Sequence, residues 1–178
     1  VERLFDDAVQ ALGGLDVLVN NAGIAGPTGG IDAMSAQDWQ RTVDINLNGQ
    51  YQLAHRAVPL LKASTRNPCL IAMASVAGRL GYAFRTPYAA TKWGIVGLVK
   101  SLAIELGPSG VRANAILPGI VEGARMDGVI AARAQAVGVD FETMKREYLG
   151  KISMRRMVTV DDIAAMALFL CTPAARNV

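Results

Sequence analysis

Short apolar segments alternate with longer stretches of helical periodicity along this chain, and this alternation restricts the fold more than any other feature. Strands are predicted at 17–19, 69–75 and 111–117, and helices at 2–12, 35–63, 87–106 and 159–171. Short, largely apolar strands separated by helices are typical of parallel sheets, which are buried on both faces. The sequence therefore predicts an α/β fold, a doubly wound parallel sheet with helices on both faces.

The composition fits one globular domain, or most of one. The 178 residues are 52% hydrophobic and 19% charged, and the basic residues behind the net charge of +3 are scattered along the chain. That distribution does not favour nucleic-acid binding. No apolar run reaches the roughly 18–20 residues that a membrane-spanning helix needs. We therefore expect neither a nucleic-acid partner nor a membrane partner.

Residues that bind metals or form disulfides are few. Cys69 and Cys171 lie far apart in the sequence and form no Cys-x-x-Cys or Cys/His cluster, so they are interpreted as reduced core residues of a cytosolic, cytoplasmic protein. The single histidine, His55, falls in a predicted helix, where a packed or solvated side chain is more common than a metal ligand. No metal site is predicted.

Ser75, Tyr88 and Lys92 have the residue types and spacing of a carbonyl/alcohol redox site. Tyr88 and Lys92 are four residues apart, which places them on one face of a helix. A phenol is a poor acid or base at neutral pH, and an ammonium beside it favours the phenolate. A serine hydroxyl at the end of a neighbouring strand can hold a carbonyl oxygen for proton transfer. These three residues lack only a source of hydride.

A Tyr-x-x-x-Lys pair by itself has little specificity, but its setting here is that of a helix. Thr86 is a plausible N-cap and Pro87 a plausible first helical residue, which places Tyr88 in the first turn. Apolar residues follow at helical spacing until Gly107. Polar or turn residues also follow all three predicted strands, at Asn20, Ser75 and Pro118. In parallel sheets ligands bind beyond these ends, so the three loops are expected to form one crevice.

These residues resemble the short-chain dehydrogenase/reductase family, and the resemblance covers essentially the whole chain. The matching segments are, in family order, Asn20-Asn21-Ala22-Gly23, Asn46 within Val43-Asp44-Ile45-Asn46-Leu47, Ser75, Tyr88 with Lys92, and Pro118-Gly119. The resemblance implies a Rossmann-like fold and an enzyme that interconverts a ketone and a secondary alcohol, with NAD or NADP as the cofactor. It also implies a small-molecule substrate and a homo-oligomer, tetramer or dimer, that uses helices near 46–63 and 87–106.

The resemblance further implies roles for single residues. Tyr88 would exchange a proton with the substrate oxygen, Ser75 would orient the carbonyl, and Lys92 would favour the phenolate and hold the nicotinamide ribose. Asn46, at a local break in its helix, would hold a water of a proton relay. Cofactor contacts would come from Asn20, Ala22, Gly23, Tyr88, Lys92, Pro118, Gly119 and Val121.

The weaker members of this set also have ordinary structural interpretations. Asn20 at a strand end is compatible with capping a turn, and Asn46 with capping a helix. Pro118-Gly119 is common turn chemistry after a strand. Only their joint occurrence makes them functional candidates.

The sequence departs from the family pattern in several places. The glycine-rich strand–turn–helix that holds the cofactor pyrophosphate is not found, and the chain starts at Val1 within an expected helix. We therefore expect one partial domain over residues 1–178, without the first strands (about 60–80 residues at ~30 per unit) and the final strand. Gly123 stands where the family often has a threonine, and Arg125 nearby is compatible either with a phosphate contact or with solvation.

Residues 119–157 are expected to form the substrate lid, because so long a connection suits a segment that closes over a ligand.

Two alternatives to a reductase stay open. The first is a catalytically silent fragment that acts only in folding or association, since the phosphate-binding turn is not found. The second is a related sugar-nucleotide isomerase or dehydratase with the same Tyr/Lys pair. Neither the substrate nor the choice between NAD and NADP follows from the sequence.

Overall fold

The computed structural model describes residues 2–178, so Val1 and the interpretation of its position lie outside it. Three strands alternate with helices, as the sequence predicts. In chain order the elements are α1 (Glu2–Leu12), β1 (Val17–Asn20), α2 (Ala36–Val43), a π-helical segment (Asp44–Asn48), α3 (Gly49–Ala63), β2 (Cys69–Met73), α4 (Thr86–Leu106), β3 (Arg112–Ile116), α5 (Ala124–Val137), α6 (Phe141–Gly150) and α7 (Val160–Cys171).

The three strands form one parallel sheet in the order β1-β2-β3. Val19 is paired with Ile71, and Ile71 with Asn114, so β2 lies in the centre. β2 and β3 are slightly shorter than the predicted strands. The main chain of Ala74 still bonds Ile116 at 2.9 Å beyond β2, so Ser75 lies just past the carboxyl end of the sheet.

Alternate side chains of β2 enter two separate cores. Leu70 and Ala72 pack in the core that α3 and α4 cover, whereas Cys69 and Ile71 pack with residues of α7. Successive side chains of a strand point to opposite faces, so the central strand is covered on both sides. This arrangement confirms the doubly wound prediction. It also brings Cys69 and Cys171 into the same core, despite their distance in the sequence.

The predicted helix over 35–63 is interrupted. Ser35 caps α2 by accepting a bond from the main-chain N–H of Asp38 at 3.0 Å, and the helix then widens into the π-helical turn before α3 begins. Asn46 lies in the middle of that turn, which confirms the expected local break. Its alternative interpretation as a helix N-cap is wrong.

Residues 119–157 contain two helices rather than an irregular loop. α5 and α6 pack on each other through Ile130, Ala134 and Met144. A short parallel bridge joins Val121, near the start of this segment, to Val158, which lies just before α7. Thr159 then caps α7 in a reciprocal pair with Asp162. Within residues 2–178 no helix has the length and apolar character to cross a membrane.

Candidate active site

Ser75 directly follows the central strand and begins a tight turn. Its Oγ accepts a bond from the main-chain N–H of Ala77 at 3.2 Å, which starts a short 3-10 turn over Val76–Gly78. The main chain of Val76 in turn bonds the carbonyl of Pro118 at 3.0 Å, which joins this loop to the one after β3. Ser75 is buried, and its hydroxyl proton stays available because the bond to Ala77 uses only the oxygen as an acceptor.

Tyr88 lies in the first turn of α4, as predicted, although the helix begins differently. The N-cap is Arg85, Thr86 is the first helical residue, and Pro87 is the second. The prediction of Thr86 as N-cap is therefore wrong. Proline is still tolerated there, because the first N–H groups of a helix have no intrahelical partner.

Lys92 lies one turn after Tyr88 and is almost fully buried. Its ammonium donates to the main-chain carbonyl of Met73 at 2.7 Å and lies 5.6 Å from the centroid of the Tyr88 ring. Burial, together with the smaller effect of the positive charge of Arg125, lowers the pKa of Lys92 to about 8. α4 is therefore fastened to the end of β2 through the lysine of the predicted pair.

Asn46 lies behind this pair with three side-chain hydrogen bonds. The Oδ1 accepts from the N–H of Ile24 at 2.7 Å, and the Nδ2 donates to the carbonyl of Ile24 at 3.1 Å and to the Oγ1 of Thr91 at 3.3 Å. Thr91 is on α4, next to Lys92. One buried amide thus connects the π-helical turn, the loop after β1 and the helix that carries Tyr88 and Lys92.

Asn20 does not cap a local turn. Its Nδ2 donates to the carbonyl of Gln50 in α3 at 3.0 Å, and its buried Oδ1 has no partner among the described residues. Its side chain therefore ties the end of β1 to the helix behind it. That alternative interpretation of Asn20 as a turn cap is wrong.

A cavity of about 1070 Å³ lies beyond the carboxyl ends of the strands, where the sequence predicts a crevice. Seven of the predicted site residues line it, namely Gly23, Ser75, Tyr88, Lys92, Pro118, Gly119 and Val121. Asn20, Ala22 and Asn46 do not. Residues of α5, α6 and α7 line the cavity too, so the segment expected to be a lid contributes to the same cavity as Tyr88. Among the described residues, no group of three or more His, Cys, Asp or Glu side chains could hold a metal.

The comparisons with known proteins agree with this geometry. Residues 1–178 match the family model described as enoyl-(acyl carrier protein) reductase. The chain belongs to the short-chain dehydrogenase/reductase family. This match confirms the resemblance identified from the motifs.

Named relatives in the short-chain dehydrogenase/reductase family are similar over nearly all of the chain. Trans-4-hydroxycyclohexanecarboxylate dehydrogenase of Sinomonas cyclohexanicum is 36% identical over 165 residues, which cover 93% of this chain and 56% of that protein. L-rhamnose 1-dehydrogenase (NAD(P)(+)) of Azotobacter vinelandii is 36% identical over 182 residues, covering 99% and 65%. The crystal structure of levodione reductase superposes with a TM-score of 0.89 at 26% identity, covering 97% and 66%. The chain thus spans between about half and two thirds of the length of these proteins.

The structure explains one departure from the short-chain dehydrogenase/reductase pattern. Gly123, where a threonine is common, has φ 129° and ψ 169°. Residues other than glycine rarely adopt this backbone conformation, so a threonine would be strained here. Arg125 follows in the first turn of α5, exposed and at the cavity wall.

Sequence reasoning missed three residues at this short-chain dehydrogenase/reductase site. They are Tyr82, Arg85 and Tyr148, which line the cavity together with Arg133 of the predicted lid. The hydroxyls of Tyr82 and Tyr148 lie 3.0 Å apart, and the Arg133 side chain donates to the carbonyl of Ala83 at 3.2 Å. Arg85 is three residues before Tyr88, a spacing that signals a shared helix face only where both residues are helical. The other contacts join segments far apart in the sequence, and no local pattern marks them.

Proposed function

We propose that this chain carries the active site of an NAD- or NADP-dependent oxidoreductase that interconverts a ketone and a secondary alcohol. One observation carries the proposal: Ser75, Tyr88 and Lys92 line the same cavity, and the buried Lys92 ammonium lies 5.6 Å from the Tyr88 ring. A buried cation beside a phenol favours the phenolate in the proton transfer that a carbonyl reduction needs.

In the direction of reduction, Tyr88 would give its hydroxyl proton to the substrate oxygen, and Ser75 would donate a hydrogen bond to that oxygen. The Ser75 oxygen already accepts from Ala77, so its proton points away from that bond and is free for the substrate. The Lys92 ammonium would stabilise the Tyr88 phenolate that forms as the proton is transferred. At neutral pH Lys92 keeps its charge, because its lowered pKa of about 8 is still above 7.

The described residues fit the nicotinamide ribose end of a dinucleotide. The Lys92 ammonium uses one of its three protons on Met73, which leaves donors for ribose hydroxyls. Gly23 leaves space beside it, since a Cβ there would lie 3.1 Å from the Oδ1 of Asn46 and 3.8 Å from the Nζ of Lys92. A bound NAD or NADP would supply or accept the hydride.

The other predicted residues take supporting roles in this proposal. Pro118, Gly119 and Val121 would border the nicotinamide from the loop after β3, whose main chain is bonded to Val76. Asn20 and Ala22, which do not line the cavity, would act on the adenosine side by fixing the loop after β1. Asn46 would contribute to a proton relay behind Lys92 from its π-helical turn.

The proposal also covers assembly and location. Trp93 and Ile104 on α4 are 51% and 80% exposed, and large apolar side chains on one helix are typical of an interface. We therefore expect a homo-oligomer, dimer or tetramer, in a cytosolic protein that acts on a small molecule. Light scattering that gives only the monomer mass at micromolar concentration would contradict the oligomer.

Fluorescence titration with NADH and NADPH tests the cofactor assignment. It is run on this chain and on the protein at its full natural length, because relatives extend beyond these residues. We expect saturable binding to the full-length protein, together with oxidation of the bound reduced cofactor when a carbonyl compound is added. Absence of binding to both would support a catalytically silent relative instead.

A further inference from the structure

Arg85 is a buried cation at the wall of the cavity. It is only 4% exposed, and its guanidinium carbon lies 4.7 Å from the centroid of the Tyr88 ring and 5.3 Å from that of Tyr82. Both tyrosines line the same cavity. The positive charge is thus held between two rings, directly beside the proposed proton donor.

This guanidinium has few partners for its degree of burial. Its Nη2 donates to the carbonyl of Ala25 at 2.6 Å, whereas its Nε has no hydrogen-bond partner among the described residues. Among the residues whose side chains the structure describes, no carboxylate lies within ion-pair distance of it. Buried charges in proteins are usually paired, because an unpaired one loses its hydration without compensation. Arg85 therefore lacks the anion that such a site normally has.

The charges around the cavity do not supply that anion. Cations outnumber carboxylates in its wall: Lys92, Arg85, Arg125, Arg133 and Lys151 against Glu122 and Glu147. Lys151 and Glu147 form an ion pair with each other at 3.0 Å. The cavity is thus positively charged, and Arg125 repels the charge of Arg85 further.

A purely structural role explains the position of Arg85 less well. The loop before α4 is already joined to the loop after β1, since the N–H of Gly29 bonds the carbonyl of Phe84 at 3.0 Å. A neutral donor would serve equally for the bond to Ala25. The Tyr82 and Tyr88 rings attract the cation, but they do not accept its Nε–H, which has no partner among the described residues.

We propose that Arg85 binds a carboxylate of the substrate, so that the enzyme acts on short oxo acids and the corresponding hydroxy acids. This inference rests on the proposed function and names its substrate class. Arg85 and the Tyr88 ring are in contact, so the carboxylate and the reacting carbonyl must belong to one small molecule with a short carbon chain between them. A phosphate of the cofactor is the other source of an anion, and the test separates the two.

The test compares acids with their uncharged methyl esters in the full-length protein. Reduction of pyruvate, acetoacetate and levulinate is measured with NADH or NADPH beside reduction of the three methyl esters. We expect the wild type to prefer at least one acid over its ester by tenfold or more in kcat/KM. Arg85→Met should lower kcat/KM for that acid by about ten- to a hundredfold, the range for losing a charged hydrogen-bond partner. Cofactor affinity should change by less than about threefold. The kcat/KM for the ester should fall clearly less than that for the acid, by the part that the guanidinium contributes beside the Tyr88 ring.

Two further variants control for charge and folding. Arg85→Lys retains the cation and should recover part of the preference for the acid. Arg79→Met removes an exposed arginine from the same loop that does not line the cavity, and it should behave as wild type. Retained ester reduction in Arg85→Met shows that this variant has folded.

Distinct outcomes would overturn the inference. Reduction of the esters by the wild type at the same rate as the acids is one such outcome, and this comparison needs no variant. Equal losses for acid and ester in Arg85→Met would assign a structural role, and a selective loss of cofactor affinity would assign the cofactor phosphate. If the wild type binds NADH or NADPH but reduces neither series, the substrate class is wrong and the proposed function stands. If it binds neither cofactor, the proposed function itself fails.

Discussion

The amide of Asn46 forms a reciprocal pair with the main chain of Ile24: it accepts from the N–H at 2.7 Å and donates to the C=O at 3.1 Å. A single side chain thereby satisfies both polar groups of a loop residue that has no strand partner. The loop after β1 is part of the cavity wall through Gly23. Its position therefore depends on a residue that does not itself reach the cavity.

Asn46→Ala is expected to lower the free energy of unfolding by about 1–3 kcal/mol, because it leaves two part-buried main-chain groups of Ile24 without their partner. Urea denaturation measures this change. Asn48→Ala, two residues away and exposed, is the matched control and should change stability by less than about 0.5 kcal/mol. Similar losses in the two variants would show that the Ile24 contact has no special weight.

Tyr88→Phe removes only the hydroxyl of the proposed proton donor. Turnover should fall a hundredfold or more, the usual scale for losing a general acid, while the dissociation constant for NADH stays within about twofold. Steady-state kinetics and fluorescence titration on the full-length protein give the two values. Tyr51→Phe, on α3 and outside the cavity wall, provides the control with the same chemical change. Near-normal turnover in Tyr88→Phe would refute the mechanism.

Gly78 lies against the main chain of Lys92, and a methyl group there has no room. An added Cβ would lie 2.6 Å from the carbonyl oxygen of Lys92 and 2.9 Å from its carbon. Gly78→Ala should therefore cost about 2 kcal/mol of stability or more and also reduce activity, since it displaces Lys92 and the turn after Ser75. Gly97→Ala has open space on the exposed side of α4 and should stabilise by up to about 1 kcal/mol. Thermal denaturation of the two variants should thus shift in opposite directions.

The pKa of Lys92 is lowered to about 8, chiefly by burial, and this makes the free energy of unfolding depend on pH in the alkaline range. The unfolded chain has an ordinary lysine pKa near 10.4, so between these values it binds more protons at this residue than the folded chain. The cost of burying the charge is fully present below about pH 8 and disappears as the pH rises toward about 10.4. The wild type should therefore gain stability relative to Lys92→Met between pH 7.5 and pH 9.5 in urea denaturation. Lys100→Met, at an exposed position of the same helix, should show no such relative change.

The fold could be predicted to the level of its layers and most of its elements. Apolar runs place the strands, and helical periodicity with Gly107 places the end of α4, because both signals are local. The start of α4 was predicted one residue too late, at Pro87 with Thr86 as its cap, because a threonine followed by a proline is a common cap pattern. Arg85 instead takes the cap position without a side-chain capping bond, and its guanidinium bonds the carbonyl of Ala25.

The residues of the site also differ in how far the sequence predicts them: local spacing predicts some, whereas others depend on contacts between distant segments. Ser75, Tyr88 and Lys92 come to one cavity as their spacing predicts, because each lies at the end of a regular element. The partners of Asn20 and Asn46 are contacts across 30 and 22 residues, which no spacing rule gives. The unpaired charge of Arg85 is visible only when burial and partners are known together.

The π-helical turn over Asp44–Asn48 also limits how this chain can change in length. Because a π-helical turn holds one residue more than an α-helical turn, deleting one of its residues would restore a regular helix and leave Ala54, Ala57 and Leu61 in phase against the sheet. The deletion would still move the Asn46 side chain away from Ile24, because the wide turn sets its direction. A deletion in this turn should therefore release the loop after β1 while α3 keeps its packing. A deletion within α3 itself would rotate its later side chains by about 100° and lose that packing.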